Sequence, residues 1–126
     1  MLTLTLNAET YAICRLGPNE PVPEWAFGGS LGSVTRTGDE LSVVCHERGI
    51  PDDVQREGKW RCLKVASPLD LSLTGILASL VVPLGEARIS VFALSTYDTD
   101  YLLVKSDTLE QAVGVLRAAG HEVLLG

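Results

Sequence analysis

Positive charge is scarce in this sequence and is not clustered. Ten lysines and arginines stand against sixteen aspartates and glutamates, giving a formal net charge of −6 and a pI near 4.8. Nucleic acids and anionic membranes are held by clustered cations that release counterions, so neither is an expected partner. Long apolar runs are missing too. The longest candidate, near Ile76 to Leu84, is interrupted by Pro83 and falls short of the roughly 18 to 20 residues that span a bilayer. The opening MLTLTLNAETYAICRL alternates leucine with threonine and has no basic region before an apolar core, which is the pattern of a strand and not of a secretory signal. A cytoplasmic protein is expected. Cysteines number three, Cys14, Cys45 and Cys62, far apart and without a C-x-x-C. Each lies in an apolar segment where a reduced thiol packs as a small hydrophobe, so no metal site and no cofactor is expected.

What is present is ordinary for a folded domain: 46% hydrophobic and 21% charged residues in 126, enough for one sizeable core or two small halves sharing one. Leu2 to Leu6 and Tyr11 to Leu16 have the two-residue period of strands, with a turn expected at Asn7 to Glu9. Three prolines between Pro18 and Pro23 leave room for only a short helix at Glu24 to Phe27 before Gly28-Gly29. Leu31 to Thr37 and Leu41 to Cys45 flank Gly38-Asp39 as a hairpin. His46 to Gly58 is polar and reads as a loop.

A second pattern begins near Trp60, with a strand expected to Ala66. Leu73, Ile76, Leu77, Leu80, Val81 and Leu84 then recur at helical spacing, with Ser72 as the expected N-cap and Pro83 expected to bend or end the helix. Ile89 to Leu94 is nearly all apolar, predicting a strand buried on both faces. A strand at Tyr101 to Lys105 follows. A helix carrying Leu109, Ala112, Val113 and Leu116 comes next, opened by a D-x-x-E arrangement of Asp107 and Glu110 and closed by a left-handed Gly120. His121 to Leu125 supplies the last strand. The order from Trp60 is β-α-β-β-α-β, a ferredoxin-like split βαβ. The first half gives β, β, short helix, β, β, the same unit with eroded helices. The fold class predicted is α+β, two tandem ferredoxin-like halves at 1–58 and 59–126 with helices on one face of antiparallel sheets.

Across Ser67 to Gly120 the sequence resembles the ACT superfamily, in the small two-ACT proteins related to the CASTOR-type arginine sensors and, more distantly, to the regulatory segment of aspartate kinases. LTGILASL and ISVFALSTYDTDYLLV carry the resemblance most specifically, with AICRL and TRTGDELSVVC showing it in the first half. The kinase catalytic domain is absent. The resemblance implies an ACT-like first half, an ACT domain in the second, and a small effector, usually an amino acid, bound between two units. It places ligand contacts on the loop opening the first helix and at the end of the second strand.

The residues there suit a free amino acid, which offers a carboxylate beside an ammonium. First-turn amide hydrogens around Leu71, Ser72, Thr74, Gly75 and Ile76 lack intrahelical partners and sit at the positive end of the helix dipole, so they can receive the carboxylate. Gly75 permits close approach of the backbone. Asp70, Asp98 and Asp100 offer acceptors for the ammonium or a cationic side chain, while Ser95, Thr96 and Thr99 add neutral hydrogen bonds and Tyr97 lies in the same segment. The acids favour arginine or lysine slightly. The plainer alternatives are that Asp70 and Ser72 only cap a helix, that Asp98 and Asp100 only form a solvated turn, and that Tyr97, Tyr101, Trp25 and Trp60 only pack. His46 and His121 read as strand-end surface residues.

Catalytic constellations do not emerge. D-T-D-Y-L lacks the third ligand, the glycine and the distal glutamate of a calcium loop. Cys45 and His46 are adjacent in a strand and point to opposite faces, and Gly29-Ser30-Leu31-Gly32 matches neither phosphate-loop pattern. A non-catalytic amino-acid sensor is therefore expected, with a homodimer and an unidentified protein partner as its assembly. The alternative is a protein-interaction or structural module with no free amino-acid ligand.

Overall fold

The computed structural model describes residues 1–66 and 74–126. Among them are seven strands, β1 (Thr3–Leu16), β2 (Ser33–Arg36), β3 (Leu41–His46), β4 (Gln55–Val65), β5 (Val91–Ser95), β6 (Asp100–Lys105) and β7 (Glu122–Leu124). The α-helices are α1 (Ile76–Glu86) and α2 (Leu109–Ala118), and 3-10 turns occupy Glu24–Phe27 and Ser106–Thr108. The chain divides into two compact units, residues 9–60 and residues 1–8 with 61–126. β1 and β4 each contribute residues to both. The class is α+β and ferredoxin-like, as the alternation of patterns predicts.

In the unit of residues 9–60 the strand order is β2-β3-β1, with β4 on the other side of β1. β1 pairs antiparallel with β3 from Tyr11↔His46 to Leu16↔Leu41, and β3 pairs with β2 from Ser33↔Val44 to Arg36↔Leu41. Alternation sends Ala12 and Cys14, with Leu41, Val43 and Cys45, into one core with Ala26 and Ile50. Trp25 and Val54 pack against it. Where a complete ferredoxin-like unit carries helices, this unit holds only the expected short Glu24–Phe27 turn and an irregular stretch at 47–54, because prolines crowd the first and glycine with charge the second.

The other unit follows β4-α1-β5-β6-α2-β7. Its strand order is β7-β1-β4-β6-β5, the first residues of the chain lying between β7 and β4. Thr3 to Thr5 pair in parallel with Glu122 to Leu124. Leu4, Leu63, Val65, Leu102, Val104 and Val123 turn one face toward Leu80 and Leu84 of α1 and Ala112, Val113 and Leu116 of α2. Each leucine so buried is worth about 1.5–3 kcal/mol against exposure. Leu77 and Val81 extend the stripe.

Several expectations need correction. No turn interrupts Asn7 to Glu9, since β1 runs unbroken through them, paired first with β7 and later with β3. β4 begins at Gln55, five residues before Trp60, so part of the presumed loop is strand. β5 is not buried on both faces: it is the outermost strand of its unit, and Ala93 and Ser95 are exposed. α1 continues past Pro83 to Glu86, and Gly75 with φ 76° stands at its N-cap without a side-chain cap bond. Ser72, the expected cap, lies outside the described residues, as does Leu73. Asp107 does not cap α2 but sits in a 3-10 turn, and no side chain caps Thr108. Gly120 adopts φ 95°, the left-handed end expected for α2.

His121 is not a surface residue. It is 8% exposed, its Nδ1 accepts the Leu2 backbone N–H at 3.1 Å, and its Nε2 lies 3.0 Å from the Ser79 carbonyl oxygen. Tyr97 departs in the opposite sense from its plainer reading as a packing residue, being 84% exposed at the tip of a turn. Trp60 is buried, as read from the sequence.

Candidate functional site

The Ser95–Asp100 segment forms the tight turn between β5 and β6, whose register runs from Val91↔Val104 to Ser95↔Asp100. The Thr96 N–H donates to the Thr99 carbonyl at 2.8 Å, and the Thr96 hydroxyl donates to the same oxygen at 3.1 Å while accepting the Thr99 N–H at 3.3 Å. The Ser95 hydroxyl donates to Asp100 Oδ1 at 2.6 Å. Thr99 is 2% exposed and donates its hydroxyl to the Val65 carbonyl at 2.7 Å, fastening the turn to the last residue of β4. Ser95, Thr96, Thr99 and Asp100 thus hold the turn itself, and the tip offers Asp98 and Tyr97 to solvent.

Thr74, Gly75 and Ile76 open α1. Gly75 is exposed, and its positive φ is one that a β-carbon disfavours by roughly 1–2 kcal/mol. The first closed bond of the helix is Ser79 N–H to the Gly75 carbonyl at 3.0 Å. The amide hydrogens of Ile76, Leu77 and Ala78 therefore precede the intrahelical ladder and point out at its positive end. Asp70, Leu71 and Ser72 lie outside the described residues. Among described residues, no group of three or more His, Cys, Asp or Glu is placed to hold a metal.

A second polar cluster, which the sequence did not signal, occupies the unit of residues 9–60. Glu9 Oε1 accepts the Ser30 hydroxyl at 2.6 Å, the Ser30 N–H at 3.0 Å and the Tyr11 hydroxyl at 3.0 Å. His46 Nδ1 lies 3.6 Å from Glu9 Oε2, and the His46 ring meets Tyr11 edge-on with centroids 6.5 Å apart. The Ser30 hydroxyl, then its N–H, hold the Glu9 carboxyl down at about 2, against a smaller opposing effect of burial, with Tyr11 and His46 adding to the lowering. Gly29 makes room for the cluster, since a β-carbon there would lie 2.6 Å from His46 Cβ. The signal was masked by Glu9 standing beside Asn7, a common turn residue.

Two surface depressions lie among the described residues. A mostly apolar groove of about 300 Å³ is lined by Leu6, Leu109, Val113, Gly114 and Leu125 together with Glu110 and Arg117. A charged pocket of about 200 Å³ is lined by Cys14, Arg15, Glu40, Ser42, Arg56 and Glu57 among others. Among the described residues no helix is long and apolar enough to cross a membrane.

The ACT-domain family model matches residues 55–118, the stretch that carries β4 through α2. The chain belongs to the ACT-domain family. A second family model, described as an N-terminal domain, matches residues 9–53. Among curated relatives, the human protein named cytosolic arginine sensor for mTORC1 subunit 1 is 31% identical over 108 residues, covering 71% of this ACT-domain chain and 33% of its own length. Its bovine counterpart is 32% identical over 95 residues, covering 67% and 29%. The chain thus spans about a third of the length of these relatives. A solved Agobacterium tumefaciens protein is 42% identical with a TM-score of 0.94, over 99% of this chain and 93% of that one. The regulatory subunit of aspartate kinase from Thermus thermophilus shares the fold at 8% identity and a TM-score of 0.65, over 93% and 96%.

Proposed function

We propose that this ACT-domain protein is a non-catalytic regulatory sensor that binds a free amino acid, with the turn Ser95–Asp100 and the opening of α1 as its binding surface. The observation that carries the proposal is the Thr99 to Val65 bond, which fixes the β5–β6 turn against the end of β4 and leaves Asp98 at its exposed tip. Amide hydrogens at the start of α1, including those of Gly75 and Ile76, receive the ligand carboxylate. Asp98, with the second oxygen of Asp100, receives the ammonium or a cationic side chain. Asp70, Leu71, Ser72 and Thr74 complete the contacts. Arginine and lysine are favoured by these acids, and the name of the mammalian relatives, arginine sensor, supports the same class. The protein acts in the cytoplasm, as a homodimer, by presenting the liganded surface to a protein partner.

A protein-interaction role without ligand is the second reading, and the apolar groove beside α2 favours it. Thermal unfolding against each of the twenty amino acids separates the two. A ligand at a hundred times its Kd stabilises by about 2.7 kcal/mol. A shift with arginine or lysine that disappears in Asp98→Ala establishes the sensor. No shift at millimolar concentration with any amino acid removes it in favour of the interaction role.

A further inference from the structure

We propose that Cys14 and Cys45 form a cross-strand thiol pair that a peroxide closes to a disulfide and a small thiol reopens. The β1–β3 register sets Cys14 opposite Val43 and Cys45 opposite Ala12, so the two cysteines are diagonal neighbours on one face of the ladder. Both are buried in the same small core, 1% and 0% exposed. Each thiol is the largest influence on the other's ionisation.

The pair is unequal. The neighbouring Cys45 thiol lowers the Cys14 thiol most, with burial opposing it and the Arg56 cation assisting, whereas Cys45 is raised by its Cys14 neighbour and by burial. Cys14 is therefore the attacking sulfur and Cys45 the resolving one. Cys14 also lines the charged pocket of about 200 Å³ with Arg15 and Arg56, space enough for hydrogen peroxide. In the first step the Cys14 thiolate attacks one peroxide oxygen, the O–O bond breaks, and the departing hydroxide takes up the thiol proton as water. The Cys45 sulfur then attacks the Cys14 sulfenic acid, the S–S bond forms, and the second hydroxide leaves with the Cys45 proton. Two thiols and one peroxide give one disulfide and two waters.

Diagonal partners have Cα atoms about 7–8 Å apart, whereas disulfides prefer about 4.4–6.8 Å, so closure draws β1 and β3 together. A bond made under such strain is the readily reduced kind. Cys62 stands apart as an internal control: it lies on β4, burial alone pushes its thiol up to about 12, and it is 1% exposed.

The test treats Cys62→Ala protein, whose pair is intact, with hydrogen peroxide, followed by alkylation and intact mass. The expected result is loss of two hydrogens, a Cys14–Cys45 link in the peptide map, and full reversal by dithiothreitol. In the same background Cys45→Ala should instead leave Cys14 as a sulfenic acid that dimedone captures. Unchanged mass in natively folded Cys62→Ala protein, oxygen addition without a link, or links only between chains would each overturn the proposal.

Discussion

Nε2 of His121 lies 3.0 Å from the backbone oxygen of Ser79, the acceptor that Pro83 has no N–H to reach. An α-helix normally fills that carbonyl from residue 83; the proline ring removes the donor, and the imidazole supplies one from another part of the chain. Because Nδ1 accepts from the Leu2 N–H, the proton belongs on Nε2. One side chain thereby joins α1, the chain start and the approach to β7, which explains how α1 continues past its proline.

His121→Ala should cost about 2 kcal/mol or more, since it leaves a backbone donor and a backbone acceptor without their partner. Pro83→Ala returns an N–H to the Ser79 carbonyl, so the His121→Ala penalty should be smaller in that background. A urea-unfolding double-mutant cycle checks this; an unchanged penalty would show that Ser79 does not carry the coupling.

Glu9 gives an acid-side signature. Its folded carboxyl lies at about 2 against an ordinary 4.5, so ionisation favours the folded state. Its contribution is complete above about 4.5 and drains away as pH falls toward 2. Urea midpoints measured down this range should fall less steeply in Glu9→Gln than in the parent.

Gly29→Ala should destabilise by about 1–3 kcal/mol, the range for forcing extra volume into a packed site. The added carbon would lie 2.6 Å from His46 Cβ and 3.3 Å from Glu9 Oε1. Near-identical thermal unfolding of the variant would show that the backbone there yields freely.

Thr99→Val and Asp98→Ala should separate scaffold from contact. Thr99→Val strands the Val65 carbonyl and should cost about 1–2 kcal/mol while also weakening amino-acid binding. Asp98 is exposed at the turn tip, so Asp98→Ala should shift stability by less than about 0.5 kcal/mol yet abolish the ligand-induced thermal shift. Calorimetry with arginine and lysine reads both effects.

The succession from β4 to β7 was legible because the spacing of Leu77, Leu80, Val81 and Leu84 in α1, the two-residue period of Leu102 and Val104, and Gly120 are all local signals. They set which face is apolar and where an element stops, and the core assembles on those faces. The turn at residues 95–100 was legible for the same reason, though not the use of its hydroxyls. Sequence could not show that Thr3 to Thr5 pair in parallel with Glu122 to Leu124, that Glu9 meets Ser30, or that His121 serves α1. Periodicity records the period and the face of a segment, whereas partners 21 to 119 residues apart are chosen only when whole elements pack. The sequence by itself determined the order and polarity of the elements. Tertiary structure decided which distant donor completes which acceptor, because a buried polar group is satisfied by whatever the packed fold brings within reach.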